Sequence, residues 1–584
     1  MSTAIRPSIR VLAVLTVVGV LTLAAVSRMA QAPARVDPAT LVIHNGTIAT
    51  VDESRPDAQA LAIRGDRIVA VGTEADIKPY IGAATRVIDL KGALAVPGLI
   101  DSHGHFTGVG EARLQLPLMK TTNWDQIVAM VADAAKKAKP GEWITGRGWH
   151  QEKWTKRPEP NVEGFPTHDL LSKAAPNNPV VLEHASGHAS IANAKAMELA
   201  GITKSTANPV GGEILKDAAG NPIGVFRETA QGLIGRAQRV AREKMTAQDR
   251  DAEARHVIQL AAEECLSKGI TTFHDAGALF STIDLFKQVA QEGKLGIRLY
   301  VMVRESNARL VENLAKYKTI GFADNHVTLR TIKVTLDGAI GSRGAWFLEP
   351  YSDSPGHTCL NTVPVDIVRE TAKLAIANGY QLAIHAIGDR ANREVLNIYE
   401  EAFKANPDKK DLRWRDEHSQ HLNPADIARF GKLGVIAAMQ GIHCTSDAPY
   451  VLARLGAKRA EEGAYVWQKL MKSGATISNG TDAPVEDVDP IANYYATVSR
   501  KLKDGSVFYG DQRMTRMEAL RSYTINGAFA AFEEKIKGSL TVGKLGDVTI
   551  LSKDILTIPE DQIPTTKVLY TVVGGKVLYQ AGSK

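Results

Sequence analysis

Six side chains in this 584-residue sequence have the types and order that metal chemistry needs: His103 and His105, then Lys333, His385, His418 and Asp482. His103 and His105 lie one residue apart in Asp101-Ser102-His103-Gly104-His105, and residues i and i+2 of an extended segment face the same side. Both imidazoles can therefore converge on one point. Imidazole and carboxylate donors suit Zn²⁺ and its divalent neighbours. An ammonium cannot ligate a cation, but a buried lysine shifts its pKa readily, and the neutral amine adds carbon dioxide to become a carbamate. Carboxylated Lys333 would be an anion able to bridge two metals. Such a pair would share a hydroxide and polarise a substrate carbonyl. Asp482 would then serve as ligand and as the group that carries the hydroxide's proton to the leaving nitrogen. Each residue also has a plainer use. A lone HxH pair is more often structural than ligating, and Lys333 can pair with Asp337 or another acid. The order along the chain favours chemistry.

Eight candidate buried strands carry these residues, over 94–103, 269–275, 297–303, 329–338, 380–386, 412–418, 434–440 and 474–482. Helical stretches separate them, which is the alternation of a closed (β/α)₈ barrel of the TIM type in the α/β class. The six residues come at the C-terminal ends of strands one, four, five, six and eight, where barrel enzymes place their active sites. In the fourth strand Thr331, Lys333, Thr335 and Asp337 alternate with Ile332, Val334 and Leu336. The apolar set is expected to pack outward on helices, which turns Lys333 inward. A ninth apolar run, PVVLEHA (179–185), falls in a segment far longer than the usual βα loop, so 107–262 is expected to be an inserted cap subdomain. Short β runs with turn signals at Asn45-Gly46 and Gly65-Asp66 occupy 41–96, and the same texture returns at 546–580. The two chain ends are expected to pair into a small composite β-sandwich, 41–96 with 530–584, leaving 97–106 and 263–529 as the barrel.

Composition narrows the function classes. Hydrophobic residues make up 44% and charged residues 23%, a folded rather than a disordered profile. Cys265, Cys359 and Cys444 are odd in number and far apart, which excludes a disulfide framework or a CxxC site. The net charge is +6, but Arg6, Arg10 and Arg28 stand in residues 1–34, which contain no Asp, Glu or Lys. A basic start followed by VLAVLTVVGVLTLAAV reads as an export signal, cut after Ala32 or Ala34, or else kept as an N-terminal membrane tether. The remainder is near neutral and has no basic run, so no nucleic-acid partner is expected. Gly538-Ser-Leu-Thr-Val-Gly543-Lys544 misses the phosphate-loop pattern at Leu545, and neither GxSxG nor HExxH occurs.

The motifs PGLIDSHGH, IKVTLDGAIGSRGAWFLEPYSD, IHAIGDRAN, DEHSQH and NGTDAPV, with GHASIANAKAMELAGI and TINGAFA, resemble those of the metal-dependent amidohydrolase superfamily, most of all the branch of N-substituted formamide deformylase. The resemblance covers essentially everything after residue 40. It implies a metal-dependent hydrolase of non-peptide C–N bonds. His103, His105, His385, His418 and Asp482 fall on the family's ligand motifs and Lys333 on its bridging-lysine motif, for one or two divalent ions, zinc by preference. His188 in the insertion, Arg343 after strand four, and Gln440 and His443 after strand seven are candidates for contact with a small-molecule substrate; structural hydrogen bonds or ion pairs are their plainer readings. His274 reads as support or core, Asp389-Arg390 as a loop pin, and Trp143, Trp149 and Trp154 as cap lining or cap core. The expected protein is an exported amidohydrolase. Its alternatives are an ester or phosphoester hydrolase using the same metals, and a non-catalytic ligand-binding barrel. A homodimer is compatible with this architecture, and no sequence feature specifies it.

Overall fold

The barrel strands are short runs of β-branched, apolar and aromatic residues, buried on both faces as parallel strands under helices must be. In the computed structural model, which describes residues 36–359 and 361–582, they are β1 (Leu99–Gly104), β2 (Ile270–Ala278), β3 (Arg298–Val303), β4 (Val327–Thr335), β5 (Gln381–Ala386), β6 (Arg415–His418), β7 (Ile436–Met439) and β8 (Ile477–Asn479). Each pairs in parallel with the next, from β1 through to β8. The ring is drawn together where β1 and β8 end: the Asp482 amide donates to the His103 carbonyl at 2.7 Å, and Thr481 N–H and Oγ1 donate to the buried Asp101 carboxylate at 3.0 and 2.5 Å. Gly480 permits this approach, since a Cβ there would lie 2.4 Å from the His103 nitrogen. The fold is a (β/α)₈ barrel with an additional sheet domain.

The helices between strands carry their own start signals. Ser306, Asn423 and Asp489 cap the helices Asn307–Tyr317, Pro424–Leu433 and Pro490–Ser499 with side-chain oxygens, the usual remedy for unpaired N–H groups in a first turn. Their apolar faces join one large core around the barrel wall. Helix Ala247–Ser267 belongs to this wall, because Ile258, Ala261, Ala262 and Cys265 are buried in the barrel cluster. So does Phe106–Ala112, through Phe106 and Val109. Both ends of the 107–262 segment therefore pack with the barrel rather than with the insertion.

The middle of that segment forms a six-stranded sheet of its own, with Ile144–Trp149, Val180–His184, Ala189–Ala192 and Pro222–Glu228 at its centre. The apolar run at 179–185 is one of these strands. Trp149 is fully buried here and donates from Nε1 to the Leu182 carbonyl at 2.9 Å; Trp154 packs beside it and Trp143 in a neighbouring cluster. The tryptophans make the insertion's core instead of lining a site.

The two chain ends share a sheet. Val548–Leu551 pairs antiparallel with Leu94–Pro97 in the register Val548↔Pro97 to Leu551↔Leu94. A second sheet covers it, with Leu41, Ile43, Ile63, Ile550 and Val572 in the core between them. Two local expectations differ. Asn45-Gly46 is not a hairpin: Leu41–His44 and Thr47–Ala49 enter different sheets, because Ile43 and Ile48 face the same inter-sheet core. The run 94–103 is not one strand. It divides at Gly98, whose amide donates to Asp547 at 2.9 Å, so that its first half serves the sandwich and its second half the barrel. Gly65-Asp66 does turn a hairpin, closing on the pair Arg64↔Arg67. Residues 1–34, expected from the sequence to be an export signal, lie outside the described residues, and no described helix is long and apolar enough to cross a membrane.

Candidate metal centre at the barrel mouth

A cavity of about 900 Å³ opens at the C-terminal ends of the strands, with His105, Lys333, His385, His418, His443 and Asp482 on the barrel side and His188, Glu228, Arg147 and Glu183 from the insertion. His103 is fully buried beneath it. Its Nδ1 bonds to the Glu417 carboxylate, which also takes Arg415 Nε at 2.6 Å and Nη2 at 3.0 Å. That partner holds the proton on Nδ1 and turns the Nε2 lone pair toward Asp482 Oδ1, 3.5 Å away. His105 Nε2 approaches the same oxygen at 3.4 Å. His103, His105 and Asp482 can each offer one donor atom within 4.8 Å of the others, and His418, His443 and Asp482 form a second such group. Asp482 stands in both.

His418 reaches the mouth against the strand's alternation. Arg415 and Glu417 face the barrel interior, where Arg415 also donates to the Ser102 carbonyl at 2.7 Å and to His274 Nδ1 at 3.1 Å. Residue 418 would then face the helices, but a left-handed backbone (φ 82°) breaks the alternation there. Asp482 is also left-handed, with φ 56°. Such conformations cost on the order of 1 kcal/mol or more each and gather at functional sites. Gln440 accepts from His418 Nδ1 at 2.7 Å and so orients that ring. His385 sits 4.4 Å from the His418 ring.

Burial sets the charges. It draws His103 down to about 4 and His385 and His418 well below the ordinary histidine range, so all three imidazoles are neutral. Burial works against the Asp482 anion, but His105, 3.4 Å away, and the neighbouring His418 and His103 rings hold the carboxylate well below its usual range. Burial pulls Lys333 down to about 8, and among the described residues no carboxylate pairs with it. Asp337 instead accepts the amides of Trp346, Ile387 and Gly388 at 2.9–3.0 Å and ties the loops after β4 and β5 together. His103 Nε2, His385 Nε2, His443 Nε2 and Asp482 Oδ1 are buried without a hydrogen-bond partner. The unpartnered nitrogens of the neutral His103 and His385 rings and the Asp482 oxygen are a donor set of the kind a divalent cation satisfies.

The other sequence candidates are dispersed. His188 reaches over the mouth, its ring 5.2 Å from that of His385, and is held by Glu228 at 2.7 Å. Burial would lower its pKa, but the Glu228 charge and hydrogen bond raise it on balance. His443 lines the cavity, 3.8 Å from Asp482 Oδ2 and bonded to Gln420 at 2.8 Å. Arg343 does not line it and pairs with Asp353 at 3.0 Å. His274 is enclosed beside Tyr300, and Asp389 accepts the Leu348 amide at 2.9 Å. Glu417, Arg415, Glu228 and Asp101 were not singled out from the sequence. Only the period-two pattern Arg415/Glu417 in β6 offered a signal, two charges on the inward face of a barrel strand.

A parallel barrel whose mouth gathers neutral histidines, an anionic aspartate and a buried lysine is the architecture of a metal-dependent hydrolase. Residues 86–579 match the model of the amidohydrolase family, and the chain belongs to that family. Over 554 residues it is 34% identical to the Arabidopsis thaliana protein LONG AFTER FAR-RED 3, covering 93% of this chain and 92% of the relative. It is 26% identical to the N-substituted formamide deformylase of Arthrobacter pascens, covering 92% and 98%. Among solved structures, an uncharacterized metal-dependent hydrolase from Pyrococcus horikoshii aligns with TM-score 0.70 at 25% identity, over 89% of this chain and 99% of that one.

Proposed function

We propose that this hydrolase cleaves a non-peptide C–N bond of an amide-like small molecule, with zinc, as one or two ions, held by His103, His105, His385, His418, Asp482 and carboxylated Lys333. The observation that supports the reading is the gathering of histidines around the anionic Asp482 at the mouth, in two candidate donor groups that share this carboxylate, His103 with His105 and His418 with His443. A bound divalent cation supplies Lewis acidity toward the carbonyl and lowers the pKa of the attacking water. Asp482 is placed to take that water's proton and return it to the leaving nitrogen, since among the described residues no Lys or Arg pairs with it and its anion is stabilised by the surrounding rings. Glu417 and Gln440 fix the orientations of His103 and His418. The insertion, through His188, closes over the substrate. Export through the N-terminal segment, cleaved or kept as a tether, and self-association as a dimer belong to the same proposal. Purified protein should contain one to two equivalents of zinc by elemental analysis and hydrolyse formamides or acyl amides. Ester or phosphoester turnover with no amide turnover would replace the C–N reading, and absence of metal from fully folded protein would end it.

Carboxylation carries its own pH signature. Carbon dioxide adds only to the neutral amine, whose fraction rises as pH rises through about 8. Between pH 6.5 and 8.5 that fraction grows about 25-fold for a group titrating near 8. At one fixed concentration of dissolved carbon dioxide, metal-stripped protein given zinc should therefore regain activity much faster at pH 8.5 than at 6.5. Equal rates at both values, or indifference to carbon dioxide, would show that Lys333 is not modified.

A further inference from the structure

Arg304 follows the last residue of β3, and Val303 pairs with Ile332, so Arg304 arrives at the mouth beside Lys333. It lines the cavity and is exposed to it. Of the other Arg and Lys side chains in the lining, Arg147 bonds to Glu183 and Lys153 to Glu486 at 3.2 Å, while Lys333 belongs to the candidate metal centre. Among the described residues none pairs with Arg304. The adjacent Glu305 also lines the cavity, but its carboxylate is bound to Arg309 at 3.0 Å and to the Phe280 amide at 3.2 Å. Burial alone lowers the Arg304 pKa, with no acid near enough to offset it. The guanidinium thus opens to the cavity with no carboxylate partner among the described residues. Its stem rests on Gly277, where a Cβ would lie 3.0 Å from Arg304 Cδ. Ser306 and Asn307, which begin the helix Asn307–Tyr317, line the cavity next to it and present that helix's positive end to the same space.

The guanidinium fork matches a carboxylate in two parallel hydrogen bonds. We propose that Arg304 binds a carboxylate of the substrate, so that the molecules cleaved are anionic amides of the N-acyl amino acid class. The proposal rests on the C–N hydrolase reading for its reaction, though not for its binding step.

The test uses N-formylphenylglycine and N-benzylformamide, which differ by one carboxylate. Wild-type full-length enzyme should prefer the acid. Arg304→Gln should lose about 10- to 100-fold in kcat/KM on the acid, mostly in KM, and stay within twofold on the neutral formamide. Arg304→Lys should keep part of the preference. A fall of equal size on both substrates would mean that the charge serves Lys333 instead, and would overturn the proposal. The products, phenylglycine and benzylamine, are titrated calorimetrically in parallel, with thermal unfolding as a check on folding. Arg304→Gln should weaken phenylglycine about tenfold and leave benzylamine unchanged. If the wild type cleaves neither formamide but shows this pattern, the reaction assignment fails and the carboxylate site stands. If phenylglycine binds the wild type and Arg304→Gln alike, the site fails whatever the reaction.

Discussion

Asp482→Asn should lower kcat by about 10³- to 10⁴-fold, the upper range for removal of a positioned general base. Asparagine keeps the shape of the side chain and tolerates the left-handed backbone that residue 482 adopts, so the variant should fold. What it loses is an anionic oxygen that approaches His103 and His105 at 3.5 and 3.4 Å. The loss removes a proton acceptor from the mouth and one anionic donor from both candidate metal groups. Two measurements separate these effects. Zinc content at saturating metal reports the ligand, and kcat at full occupancy reports the proton shuttle. Near-normal kcat at full occupancy would remove Asp482 from the chemistry.

Glu417→Gln should destabilise the protein by about 3–5 kcal/mol and weaken metal binding by about 10- to 100-fold. Glu417 touches no solvent and sits between two donors, the Arg415 guanidinium and His103 Nδ1. Burial raises a carboxyl's pKa, but here the Arg415 charge and the His103 hydrogen bond outweigh it and hold Glu417 well below the usual range. A glutamine has one acceptor and one donor where two acceptors are needed. Either Arg415 or His103 would then face an N–H, and Arg415 would remain as an uncompensated buried charge. Denaturant unfolding gives the first quantity and competition with a zinc chelator the second. A variant with unchanged stability and zinc affinity would show that the pair contributes neither.

Much of this architecture was legible because it follows local periodicity. The alternation of Lys333 with Ile332 and Val334 is a statement about neighbours in one strand, and barrel burial enforces it. The order of histidines, lysine and aspartate along successive strand ends could be read the same way. Asn45-Gly46 misled because turn chemistry is local while sheet membership is set by which core Ile43 and Ile48 share. His418 defies the β6 alternation through its positive φ, a backbone choice that only the assembled mouth stabilises.

The sequence by itself determined the barrel, the metal-type residues and the place where they would meet, since these depend on spacing within single elements. Tertiary structure alone decided the partnerships. Glu417 finds His103 from 314 residues away, Glu228 of the insertion positions His188 over the barrel, Arg343 is drawn off to Asp353, and Arg304 is left facing the cavity unpaired. Which charges are neutralised depends on what lies within a few ångström across the closed barrel, and no period along one strand encodes that distance.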